Sequence, residues 1–313
     1  MTVTNMEQSA YTLEALRNKK GFICDMDGVI YHGNLALPAF GSLLIFEAGE
    51  QEILFLTNSS ERAPKELQQK LERLGLEVDE KHFYTSALST AAFLKQQCPG
   101  GSAYVIGEPG LVGALYEAGF TMNEVNPDYV VMGETHAYSF EKIERAVQLV
   151  RAGAKLIGTN PDLTGPVEGG IVPACKALMS PIELATGRNA YYLGKPNPLM
   201  MRHGLSLLGV SPEECAIIGD RMDTDIVAGV ECGIDTVLVL SGVTTEHEMR
   251  KFPYRPRYVL SGVGDIVPKS ATTKQKNRVF GNGMAPRIGT SAGHVSLPCP
   301  FSAGPPRGRR PGR

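Results

Sequence analysis

Short runs of hydrophobic residues alternate along the chain with stretches in which hydrophobic residues recur every three or four positions. The short runs predict buried strands, and the longer stretches predict amphipathic helices. This alternation is typical of parallel sheets covered by helices, so we predict an α/β fold. The predicted strands are Gly21–Cys24, Ile53–Leu56, Tyr104–Ile106, Tyr129–Met132, Lys155–Gly158, Tyr191–Leu193, Cys215–Ile218 and Thr236–Leu240.

The helix predictions rest on spacing and on end signals. Pro64–Leu74 places three leucines on one face, and Gly75 follows as a stop signal. Ser139 is a suitable N-cap for a helix that runs to Arg151. The other predicted helices are Leu88–Gln97, Gly110–Ala118, one that begins with Pro181–Thr186, Leu199–Leu208 and Thr224–Cys232.

The periodic pattern ends at Pro268. The segment 269–313 is rich in Gly, Pro, Ser and Arg, and such a composition cannot bury enough surface to offset its ordering entropy. It holds nine Lys or Arg and no acidic residue, which leaves 22 basic against 33 acidic residues in the rest of the chain. We predict a disordered basic tail on an acidic body. That body argues against a general nucleic-acid-binding protein, and a basic arm is the alternative for the tail.

Targeting signals and metal-binding cysteines are not evident. No early segment has the form of a signal peptide, and no hydrophobic run approaches the roughly 20 residues of a membrane span. The six cysteines form no C-x-x-C pair, and the six histidines lack metal-ligand spacing. We therefore expect a cytoplasmic protein without membrane contact, whose cysteines are small buried hydrophobic residues.

Polar residues follow several predicted strands at the point where each strand ends. In open parallel sheets, ligands bind beyond the carboxyl ends of the strands. A single D-x-D or Thr-Asn pair is a weak signal, but here four clusters each follow a predicted buried strand. They combine carboxylates, a hydroxyl and an ammonium, which suits phosphoryl transfer with a hard cation. The clusters are Asp25-x-Asp27, Thr57-Asn58, Lys195-Pro196, and Asp220 with Asp225 and the weaker candidate Asp223 behind it.

The first cluster carries the predicted chemistry. A carboxylate nucleophile and a phosphate dianion repel one another, and Mg²⁺ held by oxygen ligands offsets that repulsion. Asp25 is the predicted nucleophile, which forms an aspartyl-phosphate. Asp27 is the predicted general acid and base, which protonates the leaving oxygen and then deprotonates water.

The other clusters supply supporting groups. Thr57 and the Asn58 backbone are predicted to donate hydrogen bonds to the phosphoryl oxygens, and Lys195 is predicted to neutralise charge that grows on them. Asp220 completes the predicted metal site. Asp225 either holds a metal-bound water or orients Lys195.

The order D-x-D-G, T-N, K-P and G-D-x-x-x-T-D resembles the haloacid dehalogenase superfamily, most closely its NagD-like, p-nitrophenylphosphatase branch. The chain has no Walker A loop, no G-x-G-x-x-G after the first strand and no G-x-S-x-G elbow. The resemblance spans about 21–268 and excludes the tail. It rests on Ile23–Val29, Leu56–Ser60, Gly158–Asp162, Gly194–Pro196 and Gly219–Ile226.

The resemblance implies a Rossmann-like parallel-sheet core with a large inserted α/β cap domain. The predicted division is 1–86 for the first part of the core, 87–182 for the cap, 183–268 for the second part of the core, and 269–313 for the tail. The implied Mg²⁺ ligands are the side chains of Asp25 and Asp220 and the backbone carbonyl of Asp27. The implied phosphate contacts are Asp27, Thr57, Asn58 and Lys195. The implied substrate-recognition loop of the cap comprises Asn160 to Asp162 and Gly165–Pro173.

The resemblance implies a Mg²⁺-dependent phosphatase for small phosphomonoesters. Members hydrolyse nucleoside monophosphates such as UMP, sugar phosphates, p-nitrophenyl phosphate, phosphoglycolate, glycerol phosphate and pyridoxal phosphate, and some form homo-oligomers. One alternative is a mutase or phosphotransferase, although only about thirty residues separate Asp27 from Thr57, too few for the smaller cap that is usual in mutases. Another is a phosphoryl-accepting receiver or an inactive binding protein, although receivers are about half as long and no motif residue is missing here.

We expect truncation after Pro268 to leave the fold and the turnover nearly unchanged, because the tail has no hydrophobic pattern that would pack on the body. Circular dichroism melts and phosphate-release assays on the truncated and full-length chains test this. A large loss of either property would contradict the prediction.

Overall fold

The computed structural model describes residues 12–38, 51–167 and 169–266. The tail prediction for 269–313 lies outside the described residues. The strands are β1 Gly21–Cys24, β2 Tyr31–His32, β3 Leu35–Ala36, β4 Glu52–Thr57, β5 Phe83–Thr85, β6 Ser102–Ile106, β7 Thr121–Met122, β8 Tyr129–Met132, β9 Lys155–Gly158, β10 Thr164–Val167, β11 Gly170–Pro173, β12 Tyr191–Tyr192, β13 Cys215–Gly219, β14 Asp235–Val239 and β15 Tyr258–Leu260.

Helices connect most of these strands. The α-helices are α1 Leu13–Arg17, α2 Pro64–Arg73, α3 Ser86–Gln97, α4 Pro109–Glu117, α5 Phe140–Ala152, α6 Cys175–Thr186, α7 Pro198–Leu208, α8 Val227–Cys232 and α9 Glu246–Met249. The 3₁₀ helices are Glu80–His82, Pro212–Glu214 and Val263–Asp265, and Met222–Ile226 is a π-helical turn.

The first sheet has six parallel strands in the order β15-β14-β13-β1-β4-β5. Strand β1 lies inside it, with Gly21 opposite both Cys215 and Glu52. All four residues of β1 are buried, as expected for a strand covered on both faces. The register aligns the carboxyl ends of β13, β1 and β4, so the residues that follow them meet at one edge.

The second sheet has five parallel strands in the order β12-β9-β8-β6-β7. It has hydrophobic clusters of its own, one built around Leu111, Phe120 and Val131 and another around Met132, Ala146 and Met179. The antiparallel hairpin of β10 and β11 follows β9 in the chain. The α/β fold class is confirmed, with parallel sheets and connecting helices.

Several element boundaries differ from the predictions. Helix α6 begins at Cys175 rather than at Pro181, because Cys175, Met179 and Ile182 are buried along one face and hold a helix that contains the proline. Proline removes one backbone donor from that helix. Seven short strands have too few residues to give a periodic signal in the sequence and were not predicted: β2, β3, β5, β7, β10, β11 and β15.

The strand before Lys195 was placed wrongly. Tyr191–Tyr192 pairs with β9 in the second sheet and is not buried, so Lys195 does not follow a buried strand of the first sheet. The second sheet therefore extends past residue 182, where we expected the cap to end. The domain boundaries stay a prediction. Among the described residues, no helix has the length and hydrophobicity needed to cross a membrane.

Candidate active site

A cavity of about 640 Å³ lies at the carboxyl ends of β1, β4 and β13. Asp25 and Asp220 directly follow β1 and β13, Thr57 is the last residue of β4, and all three line the cavity. The hairpin of β10 and β11 also contributes residues to the lining of this cavity, among them Pro166 and Val172. The structure therefore places the expected cap segment Gly165–Pro173 against the strand-end residues.

Lys195 is the central cation of this site. Its side chain is 2% exposed, and its Nζ donates to Asp25 Oδ1 and to Asp225 Oδ1, each at 2.6 Å. It also donates to the Leu56 carbonyl at 3.2 Å. Although burial disfavours the charged ammonium, Asp225 and Asp25 raise the pKa of Lys195 above its ordinary value. The ammonium is therefore a permanent positive charge beside Asp25.

Three carboxylates crowd around this ammonium. Oxygen atoms of Asp25, Asp220 and Asp225 all lie within 4.8 Å of one another. Burial raises the pKa of Asp25 to about 8, and burial followed by the charge of Asp225 raises the pKa of Asp220 to about 6. When all three are ionised, Lys195 offsets only one of the three negative charges. The excess charge and the hard oxygen donors fit a divalent cation such as Mg²⁺.

Glycines let the chain approach Asp220 closely. A Cβ on Gly242 would lie 2.0 Å from Asp220 Oδ2, and one on Gly28 would lie 2.4 Å from the same atom. Gly28 also has a φ of +81°, which favours glycine. The Val243 N–H donates to Asp220 Oδ2 at 2.7 Å. These contacts fix the direction of the Asp220 carboxylate.

Asp225 and Asp223 have different surroundings. Asp225 is fully buried, and its Oδ2 accepts from the Arg221 N–H at 3.2 Å while its Oδ1 holds Lys195. Of the two roles considered for Asp225, this contact supports orienting Lys195. Asp223 is 55% exposed and pairs with the Arg221 guanidinium at 2.8 Å, so it lies outside the carboxylate cluster.

Asp27 lines the cavity beside His32. The Asp27 side chain is 40% exposed, and its Oδ1 lies 3.7 Å from His32 Nδ1. Burial raises the pKa of Asp27, while Lys70 and His32 act in the opposite direction. A carboxyl group with a raised pKa exchanges a proton more readily near neutral pH.

The Asn58 side chain joins separate parts of the chain. Its Oδ1 accepts from the Lys195 N–H at 2.7 Å, and its Nδ2 donates to the Lys195 carbonyl at 3.0 Å and to Asp162 Oδ2 at 2.9 Å. These bonds occupy the side-chain amide of Asn58, so its backbone is the part that remains for contact with a ligand. Thr57 Oγ1 accepts from the Ser59 N–H at 3.1 Å and keeps its own proton for donation.

Two family models match the chain: haloacid dehalogenase-like hydrolase over residues 22–121 and HAD-hydrolase-like over residues 192–266. The dihydroxyacetone phosphatase of Corynebacterium glutamicum is 44% identical over 246 residues, which cover 78% of this chain and 90% of that protein. The chain belongs to the haloacid dehalogenase superfamily, in its NagD-like branch. It is a phosphoric monoester hydrolase.

Other relatives agree in sequence and in fold. Ribonucleotide monophosphatase NagD of Escherichia coli K12 is 41% identical over 249 residues, which cover 79% of this chain and 98% of that protein. The structure of the E. coli NagD protein superposes with a TM-score of 0.74 at 40% identity, over 80% of this chain and 100% of that one. The structure of a 4-nitrophenylphosphatase from Thermotoga maritima has a TM-score of 0.77 at 32% identity, over 80% and 97%.

The two cap residues expected near the substrate have different places in this phosphatase. Asp162 lines the cavity and pairs with Arg221 at 3.1 Å. Asn160 is fully buried, and its Nδ2 donates to the Asn58 carbonyl at 2.7 Å and to the Glu134 carboxylate. This placement argues against direct substrate contact by Asn160, because its side chain does not line the cavity and instead anchors the loop 160–162.

Glu134 is a site residue that the sequence analysis missed. Its carboxylate accepts from the Ser60 N–H at 3.3 Å, from the Ser60 hydroxyl and from Asn160. Burial raises its pKa, although these donors act against the shift. Its position after the buried strand Tyr129–Met132 and Gly133 was an available signal, since the predicted clusters follow strands in the same way.

We expect Gly242→Ala to lower kcat/KM about 100-fold, because the new Cβ would displace the Asp220 carboxylate and such misplacements have effects of that size. Gly262→Ala is the matched control, since nothing lies within 4 Å of a Cβ there. Phosphate release measured on both variants tests the prediction. Equal activity in the two variants would contradict it.

The raised pKa of Glu134 predicts that the stability of the protein depends on pH. Its raised pKa means that the folded state binds the proton more tightly than the unfolded state, so this stabilisation is complete below the unfolded pKa and is lost as pH rises through the folded pKa. We expect the wild type to lose stability relative to Glu134→Gln as pH rises from about 4 toward neutral. Urea unfolding at a series of pH values measures this. The exposed Glu77→Gln controls for removal of one charge, and parallel curves for the wild type and Glu134→Gln would refute the prediction.

Proposed function

We propose that this enzyme is a Mg²⁺-dependent phosphatase that hydrolyses small phosphomonoesters through an aspartyl-phosphate on Asp25. The observation that carries the proposal is the set of contacts at Lys195, whose ammonium bonds both Asp25 and Asp225 at the floor of the cavity. A carboxylate held by a fixed cation and open to a cavity is suited to attack phosphorus.

The oxygen atoms at the floor of the cavity form the proposed cation site. The Asp25 and Asp220 carboxylates and the Asp27 backbone carbonyl would hold Mg²⁺. The bound ion supplies charge that offsets the repulsion between Asp25 and the phosphate dianion. Asp225 stays bonded to Lys195 and the Arg221 N–H, which support it beside the site.

The reaction has two steps at phosphorus. In the first, an Asp25 oxygen forms a bond to phosphorus while the ester P–O bond breaks, and Asp27 gives its proton to the leaving oxygen. In the second, water attacks the same phosphorus, Asp27 takes the proton of that water, and Asp25 leaves as a carboxylate. The raised pKa of Asp27 suits both its acid and its base role.

Three groups stabilise the phosphoryl oxygens in both steps. The Thr57 hydroxyl and the Asn58 N–H donate hydrogen bonds, and the Lys195 ammonium balances charge between the nucleophile and the oxygens. The Asn58 side chain holds the Lys195 backbone by two hydrogen bonds, so the donor and the cation are positioned together.

The cavity and the relatives support a small substrate. A volume of about 640 Å³ accommodates a nucleoside monophosphate such as UMP, a sugar phosphate or p-nitrophenyl phosphate. The relatives named for dihydroxyacetone phosphatase and ribonucleotide monophosphatase activity act on substrates of this class. We propose no nucleic-acid or membrane partner.

We expect Asp25→Asn to abolish Mg²⁺-dependent phosphate release from p-nitrophenyl phosphate, because an amide cannot form the acyl-phosphate. Acid quenching of the wild type with a radiolabelled substrate should trap label on the protein, and the variant should trap none. Chelation of Mg²⁺ should stop turnover of the wild type, and added Mg²⁺ should restore it.

Asp223→Asn is the matched control, since Asp223 is exposed and outside the carboxylate cluster. It should retain turnover within a few-fold of wild type. Wild-type turnover in Asp25→Asn would refute the proposed nucleophile.

A further inference from the structure

Lys70 is a buried cation that the proposed mechanism does not use. It lies on helix α2, is 8% exposed and lines the cavity. Its Nζ lies 3.5 Å from the centre of the Tyr31 ring. Within the part of the chain that the structure describes, the ammonium has no hydrogen bond or ion pair. A ring face attracts a cation but accepts none of its three N–H donors well, and a buried charge without acceptors is unfavourable.

A second cation faces the same cavity. Arg62 precedes the helix, is exposed and lines the cavity. Burial and then the charge of Arg62 lower the pKa of Lys70 to about 8. Asp27 and Glu61 act in the opposite direction, and the effect of each is smaller than that of Arg62. Glu61 itself lies 3.7 Å from His136 Nε2. Among the described residues, Asp27 and Glu61 pair with His32 and His136, and neither forms an ion pair with Lys70 or Arg62.

The wall that carries Lys70 and Arg62 is separate from the floor, which is formed by Lys195 and the carboxylates around it. The strongest charges acting on Asp25 are those of Lys195, Asp225 and Asp220. Those acting on Asp27 are Lys70 and His32. Lys70 lies over the ring of Tyr31, and Tyr31 forms a β-bridge with Asp27, the group that serves the leaving oxygen in the proposed mechanism. Lys70 therefore lies on the leaving-group side of the cavity.

We propose that Lys70 and Arg62 form a second anion-binding position, which binds a carboxylate on the leaving group of the substrate. The preferred substrates are then small phosphomonoesters that carry a carboxylate. A singly charged carboxylate suits this wall better than a second phosphate, because Asp27 and Glu61 line the same cavity and repel a dianion. The inference rests on the proposed function, since it uses the same cavity and reaction.

The test compares two substrates of nearly equal size: 2-phosphoglycolate, whose leaving group carries a carboxylate, and 2-hydroxyethyl phosphate, whose leaving group is uncharged. The wild type should prefer the carboxylate by kcat/KM, and Lys70→Met should lower that preference about 10- to 100-fold, the range of a hydrogen bond to a charged group. The change should appear mainly in KM. Because both substrates carry the phosphate, any general weakening of phosphate binding cancels in the ratio.

Two further variants protect the test against misfolding of Lys70→Met. Lys70→Arg keeps the charge and should keep most of the preference. Arg62→Met, at an exposed position, should lower the preference in the same direction by a smaller factor. Lys155→Met is the matched control, because Lys155 also lies over a tyrosine ring, 5.3 Å from the centre of Tyr129, but does not line this cavity.

The outcomes separate the two proposals. If the wild type hydrolyses p-nitrophenyl phosphate but shows no preference between the paired substrates, or if the Lys70 and Arg62 variants keep the wild-type preference, the second anion position is wrong. If Lys155→Met lowers the preference as much as Lys70→Met, it is also wrong. If the wild type with Mg²⁺ hydrolyses none of the three compounds, the proposed function itself fails.

Discussion

The buried ammonium of Lys195 holds the site together. It joins Asp25 after β1, the Leu56 carbonyl at the end of β4 and Asp225 after β13, three segments far apart in the chain. A lysine that is 2% exposed is unfavourable unless such partners surround it. Two of these partners, Asp25 and Asp225, are carboxylates that would repel one another without the ammonium. The floor of the cavity is therefore stable only as a complete set, and a divalent cation would balance the charge that Lys195 leaves over.

Asn58 extends this set toward the cap hairpin. Its side chain bonds the backbone of Lys195 and the carboxylate of Asp162, and Asp162 also pairs with Arg221 next to Asp220. Asn160, which does not line the cavity, donates to the Asn58 carbonyl and to the Glu134 carboxylate. The loop 160–162 is thus tied to the residues that bind phosphate in the proposed mechanism. This loop and the floor of the cavity therefore belong to one hydrogen-bond network.

The cavity has two electrostatic regions with different tasks. The floor concentrates carboxylates around one lysine, which suits a cation and a transferring phosphoryl group. The wall beside Asp27 carries Lys70 and Arg62, whose charges no described carboxylate pairs with. Chemistry common to the superfamily belongs to the floor. In the proposed reaction, the wall and the hairpin would contact the part of the substrate that leaves, so discrimination between substrates is proposed to lie there.

The sequence by itself determined the α/β class, the longer strands and helices, and the motif residues of the floor. It could do so because buried parallel strands are continuous hydrophobic runs and because Asp25, Thr57 and Asp220 directly follow such runs. It misplaced the strand before Lys195, whose two residues pair with the second sheet, and it began helix α6 too late at Pro181. In both cases packing against distant segments outweighed the local signal.

Only the tertiary structure decided which side chains line the cavity and which are buried outside its lining. Asn160 and Asp162 are two residues apart, yet one is fully buried in the wall and the other lines the cavity. The spacing of Lys70 puts it on the leucine face of helix α2, but only the fold places its ammonium over the Tyr31 ring. Burial and partners arise from contacts between segments far apart in the chain, and periodicity within one segment carries no record of them.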